Sequence, residues 1–169
     1  MTDIKIRQAQ VEDAKTLTQA EQYWAQFPGH LISKPHELKQ EKFEQRIEAL
    51  RSGGGLYIVA EKDQQLVGHA FLEQMGLENI AHTYRLTIVV HPNRTSQGVG
   101  KALMSRLTAW AKKNPTALKI ELLVRSSNER AISLYKKMGF EEEGRFKNRV
   151  RISETEFIDD VAMGLWLDK

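Results

Sequence analysis

The sequence predicts an α/β fold in which helices cover both faces of a mixed sheet. Three observations carry that prediction. Leu86-Thr87-Ile88-Val89-Val90 is a short apolar, β-branched run of the kind that forms a buried strand. It feeds a turn with two glycines one residue apart, Gly98 and Gly100, from which Ala102, Leu103, Leu107, Trp110 and Ala111 depart at helical spacing. Hairpin signals recur around this unit, with Lys62-Asp63-Gln64-Gln65 flanked by apolar runs and a second pair of runs near the C-terminal end. At 169 residues the chain suits one domain, spanning 1–169, with a core of its own.

Taken in order, Ile4, Ile6 and Ala9 alternate with polar residues as in an edge or half-buried strand. Glu12-Asp13-Ala14 starts a helix with Ala14, Leu17, Ala20 and Trp24 on one side, and Phe27-Pro28-Gly29 ends it. Residues 30–36 are poorly periodic and read as loop. A second helix is expected from Pro35 or Glu37 to about Leu50, burying Leu38, Phe43, Ile47 and Leu50, with Gly53-Gly54-Gly55 closing it. Leu56–Ala60 and Leu66–Leu72 form a hairpin, and Tyr84–Val90 joins them antiparallel. After the glycine turn and its helix come a strand at Lys119–Val124 and a helix from Asn128 that ends at Gly139, a natural C-terminal glycine. Gly144–Ile152 and Phe157–Leu167 close the chain as a last hairpin, which completes the order βααβββαβαββ.

Composition narrows the chemistry. There is no cysteine, so neither a disulfide frame nor a thiol nucleophile is available, and any thiol must arrive on a ligand. Five histidines are scattered without metal-ligand spacing, so no metal site is expected. The net charge of +3 comes from 25 basic and 22 acidic residues, a mixed solvated surface that does not point to nucleic acid. Apolar runs are far below membrane-spanning length and the N-terminus lacks a signal pattern, so a cytoplasmic location is expected.

The turn carries the first functional signal. Glycine lets a backbone approach a ligand closely, and the opening turn of a helix offers unpaired N–H groups and the positive end of its dipole. This reads as a pyrophosphate cradle, although a glycine pair alone also fits an ordinary tight turn. A second block stands about 30 residues on, Asn128-Glu129-Arg130-Ala131-Ile132-Ser133-Leu134-Tyr135-Lys136-Lys137-Met138-Gly139-Phe140. Together, V-x-P-x(5)-G-x-G-K-A-L and N-x-x-A-I-x-L-Y-x-K-x-G-F resemble the GNAT superfamily of N-acetyltransferases, in the branch of small bacterial-type enzymes. Their order, separation and intervening strand fit, as does the layout of nearly the whole chain.

The resemblance implies a GNAT-like fold, acetyl-CoA as co-substrate without a metal, and transfer to a primary amine in a ternary complex. It assigns the N–H groups of Gln97, Gly98, Val99, Gly100, Lys101 and Ala102 to the pyrophosphate. The Lys101 side chain is either a phosphate contact or a solvated helix residue. Val89 and Val90 are expected to meet the pantetheine arm through their backbones, with a nearby N–H polarising the thioester carbonyl. The family usually has Arg or Gln three residues before the first glycine, where this chain has Thr95 with Arg94 beside it. Tyr135 lies seven residues after Asn128, two helical turns on and on the same face. The matching tyrosine sits beside the CoA sulfur, so Tyr135 is expected to protonate the leaving thiolate or to position the sulfur. Asn128 is expected to contact the pantetheine arm, cap its helix, or both.

An alkylamine of pKa about 10.4 is neutral only on the order of one part in a thousand at pH 7, so a base or a desolvating pocket is needed. The strand Tyr84–Ile88 carries no carboxylate, which leaves Glu73, Glu78 and His82 at adjoining strand ends as candidates. Arg145, Lys147, Arg149 and Arg151 alternate with Phe146, Asn148 and Val150, giving a cationic strand face. That face suits an acidic acceptor, or pairing with Glu156, Asp159 or Asp160 on the next strand. Small amines such as amino acids or polyamines are the expected acceptors, with a protein N-terminus or lysine as the alternative. A CoA-binding sensor with little turnover is the reading from another class. A homodimer is plausible by resemblance.

Overall fold

A computed structural model describes residues 3–94 and 97–168. Thr95, the departure from the family pattern, lies outside the described residues. The elements are β1 (Lys5–Gln8), α1 (Ala14–Trp24), α2 (Gln40–Ser52), β2 (Gly55–Lys62), β3 (Gln65–Gln74), β4 (Thr83–Val90), α3 (Val99–Lys113), β5 (Lys119–Arg125), α4 (Glu129–Lys137), β6 (Glu141–Arg151) and β7 (Phe157–Trp166). Their order is the expected βααβββαβαββ, with short 3₁₀ turns at Val11–Asp13, Pro35–Glu37 and Glu78–Ile80.

Seven strands form one sheet in the order β1-β2-β3-β4-β5-β7-β6, and β4–β5 is its parallel pair. The β2–β3 hairpin closes on Asp63 and Gln64, both at positive φ (52° and 62°), as a two-residue turn matched to strand twist demands. One face of the sheet buries Tyr57, Val59 and Phe71 under Leu17 of α1 and Phe43, Ile47 and Leu50 of α2. The other face packs Ile58, Ala70, Leu72, Leu86 and Ile120 against Leu103, Met104 and Leu107 of α3, with Tyr135 of α4 and Phe140 beyond it.

Two expectations are corrected. Helix α2 begins at Gln40, because Leu38 and Lys39 are extended (ψ 112° and 135°) and separate it from the Pro35–Glu37 turn. Strand β6 begins at Glu141, and its alternation breaks between Phe146 and Val150, where Asn148 takes a φ of 52° and three residues oppose Asp159. The cationic face is therefore interrupted. Arg145 pairs with Glu142 at 2.8 Å on its own strand, Arg149 lies 3.4 Å from Asp160, and Asp160 also binds Arg125.

Candidate active site

The site begins where two strands part. β4 and β5 are in register only at Thr83–Lys119, Tyr84–Ile120 and Arg85–Glu121, so the rest of β4 has no neighbour on that side. Successive residues of an antiparallel strand turn their N–H and C=O groups to opposite sides. The His91 N–H donates to Val67 C=O, and Thr83 C=O accepts from the Met75 N–H, so odd-numbered residues of β4 face β3. Even-numbered ones face the gap: His82 C=O accepts from Leu118 and Lys119, and Val90 C=O accepts from the Trp24 indole. The free edge thus belongs to Ile88 and Val90. This corrects the expectation for Val89, whose polar backbone faces β3 while the residue still lines the cavity.

That cavity encloses about 900 Å³ between β4, α3, α4 and residues 28–31. At its α3 end, Gly98 is the N-cap residue with φ +80° and ψ 2°, a left-handed conformation that side chains strain to reach. An added Cβ there would meet none of the other described residues within 4 Å, so the turn is open at that point. Gly100 is different, since its Cβ would touch Leu134 at 3.4 Å and Val90 at 3.7 Å. Gly98, Val99, Gly100 and Lys101 line the cavity, whereas Gln97 and Ala102 do not. Gln97 turns its amide to Lys62 (3.2 Å) and Asn93 (3.4 Å). The Ala102 N–H is spent on Gly98 C=O at 3.0 Å, the first intrahelical bond, and Ala102 therefore leaves the set of phosphate donors. The fit to a pyrophosphate rests on the remaining unpaired amides, the helix dipole and the open turn.

Along α4, Asn128 caps the helix, its side-chain oxygen accepting from the Ala131 N–H at 3.2 Å, and it also lines the cavity. Tyr135 lies two turns on, 6% exposed, with its ring 5.9 Å from Phe140, and it too faces the cavity. Burial pushes its phenol up to about 12.

The opposite wall was only half visible in the sequence. Trp24, at the end of α1, donates from Nε1 to Val90 C=O at 2.7 Å, tying the helix to the free edge of β4. Its ring stacks on His30 with centroids 4.4 Å apart and a 31° tilt, and Phe27 stands edge-on to both. No motif announces His30, because the loop that carries it has no periodicity. Glu73, Glu78 and His82 are not in the lining. Glu73 sits opposite Arg85, five residues and about 17 Å along the strand from Val90, which removes it as a base for this cavity. The lining is instead cationic, with Arg94, Lys101, Arg130 and Lys137, and carries no carboxylate among the described residues.

Behind β4 lies a buried polar cluster. His69 is fully buried, with Nε2 2.9 Å from the Glu21 carboxylate and Nδ1 3.0 Å from the Tyr57 hydroxyl. Burial, then the Glu21 charge, pushes the Tyr57 phenol up. His91 donates from Nδ1 to Leu66 C=O at 3.0 Å, and burial followed by the nearby His69 lowers it to about 4, so its ring is neutral at pH 7. Among the described residues no group of three or more His, Asp or Glu is placed to hold a metal ion, and no helix is long and apolar enough to cross a membrane.

The chain is similar to known proteins. The chain is 28% identical over 166 residues, 96% of its length and 98% of theirs, to the L-amino acid N-acetyltransferase AaaT of Escherichia coli. A segment of 93 residues is 37% identical to an uncharacterised Mycobacterium leprae protein and covers 52% of this chain but only 23% of that one. The structure of YncA, a putative acetyltransferase from Salmonella typhimurium with its cofactor acetyl-CoA, superposes with a TM-score of 0.88 at 20% identity, covering 99% of this chain and 96% of that one. The sequence profile of the Acetyltransferase (GNAT) family matches residues 18–140, from α1 through the glycine turn to the end of the Asn128–Phe140 block. With the parted strands, the open glycine turn and Tyr135 on one cavity, the chain belongs to the GNAT family of acetyl-CoA-dependent N-acetyltransferases.

Proposed function

We propose that this enzyme acetylates the amine of a free L-amino acid, taking the acetyl group from acetyl-CoA by direct attack in a ternary complex. The observation that carries the acceptor class is the absence of a carboxylate from the described lining, which leaves Arg130 and Lys137 as cations beyond the two, Arg94 and Lys101, that serve the pyrophosphate. A polyamine needs anions to hold its additional ammonium groups, and this wall offers none. An amino acid brings its own carboxylate to a cationic wall and its side chain to Trp24 and Leu31. The likeness to AaaT supports the same reading.

Each step has a residue of this chain behind it. The amides of Gly98 through Lys101 hold the pyrophosphate, with Lys101 and Arg94 adding charge. The free edge at Ile88 and Val90 takes the pantetheine arm as an added strand, and the Ile88 N–H is the donor turned toward a thioester carbonyl. Asn128 and Tyr135 close the arm from α4, and Tyr135 donates its proton to the departing sulfur. A homodimer belongs to the same reading, because β6 is an edge strand with every residue but Val150 exposed. Light scattering on the eluted protein tests it against the 19.4 kDa chain mass.

The deciding experiment measures CoA thiol release across the twenty L-amino acids, spermidine, putrescine and a short peptide with a free N-terminus. Turnover with one or a few amino acids, and none with polyamines, is the expected result. Preference for the peptide would shift the assignment to protein N-termini. Tight acetyl-CoA binding without turnover on any amine would make the chain a sensor.

A further inference from the structure

We infer that His30 is the general base of the transfer, an assignment that rests on the proposed acetylation of an amine. The cavity has few groups in its lining that could accept a proton. The described residues that line it offer cations at Arg94, Lys101, Arg130 and Lys137, a phenol at Tyr135 and a single imidazole, with no Asp or Glu. Imidazole is the side chain that gains and loses a proton between pH 5 and 8, so His30 is the one group of this lining suited to accept an amine proton near neutrality.

Its position fits the role. His30 stands at the acceptor end, exposed to the cavity, in the residue 28–31 loop that follows α1. Its ring is held 4.4 Å from the Trp24 indole, and Trp24 in turn donates to Val90 C=O on the free edge of β4. Trp24 thus links the imidazole to the free edge of β4. Gly29 fixes the loop from the other side, φ +88°, with Ile152 of the C-terminal hairpin 3.4 Å from where its Cβ would lie. The aromatic rings packed on His30 are those of Trp24 and Phe27.

The step balances. The acceptor ammonium gives a proton to His30, which passes it to solvent, and the neutral nitrogen then forms the C–N bond to the acetyl carbonyl carbon as the C–S bond breaks. The Tyr135 proton goes to the sulfur, and the phenolate left behind takes the surplus proton from the nitrogen. No redox partner is required.

The test compares wild type with His30→Gln, on the best amino acid of the panel and on hydroxylamine, an acceptor already neutral at pH 7. We expect kcat on the amino acid to fall about 10²-fold and the acid limb of the pH–rate profile between pH 5 and 8 to disappear. Acetyl-CoA binding by calorimetry should be unchanged, and the loss on hydroxylamine should be less than tenfold. An equal loss on both acceptors would overturn the assignment and make His30 a structural residue, as would a wild-type pH profile in the variant. Wild type inactive on every amine would instead remove the proposed function, and the base with it.

Discussion

Tyr135 carries its proton through the whole physiological range, because burial raises it to about 12. It is always ready to donate and is a weak acid when it does, several pH units above an ordinary thiol near 8.5. Its contribution should therefore sit at the lower end for general acids. Tyr135→Phe is expected to lower kcat about 10²-fold with the KM for acetyl-CoA little changed. No limb assignable to this phenol should appear in the rate profile below about pH 11. Trp24 acts through one hydrogen bond and one stack. Trp24→Phe keeps a ring beside His30 but removes the donor to Val90 C=O, at a cost of about 1 kcal/mol or roughly fivefold in kcat/KM for the acceptor. Trp24→Leu, which also loses the stack, should cost more.

At the level of elements, the strand–turn–helix unit was legible because its physics is local. A β-branched run, a glycine that must take φ +80° and an amphipathic helix each leave a mark in the sequence. Predictions at the two glycines separate conformation from packing. Gly98→Ala should destabilise the fold by about 1–2 kcal/mol in chemical denaturation, because its φ is left-handed. Gly98→Glu should in addition abolish acetyl-CoA binding in calorimetry. Gly100→Ala meets ordinary contacts at 3.4 and 3.7 Å, so it should fold with unchanged or slightly raised stability, about 0.5 kcal/mol from helix propensity. What the sequence hid was everything set by tertiary approach. Residues 28–31 have no periodicity to read, yet α1 places them over the cavity. The parting of β4 from β5 depends on a register that no run of residues encodes. The irregularity at Asn148 interrupted an alternation that looked regular.

Across the whole molecule, two layers of helices fix one sheet, and the polar groups trapped between them set its tolerance to acid. His91 is buried and neutral, and charging it in the folded state is disfavoured. Its pKa is about 4 folded against 6.5 unfolded, so the unfolded chain binds a proton first as the pH drops. The stability it contributes is full above pH 6.5 and is lost progressively down to about 4. At pH 5 the loss should reach about 2 kcal/mol, read as a lower urea midpoint. His91→Asn should be less stable at pH 7 but show a flatter dependence between pH 7 and 5.

The gap between β4 and β5 has a consequence that can be followed amide by amide in deuterated water. Thr87 and Val89 are locked into the ladder with β3 and should exchange slowly, at rates governed by opening of the sheet. Ile88 and Val90, one residue away in each case, point into the gap and should exchange fast in the free protein. A bound pantetheine arm would supply the missing strand, and the alternation of fast and slow amides along Ile88–Val90 would flatten into uniform protection.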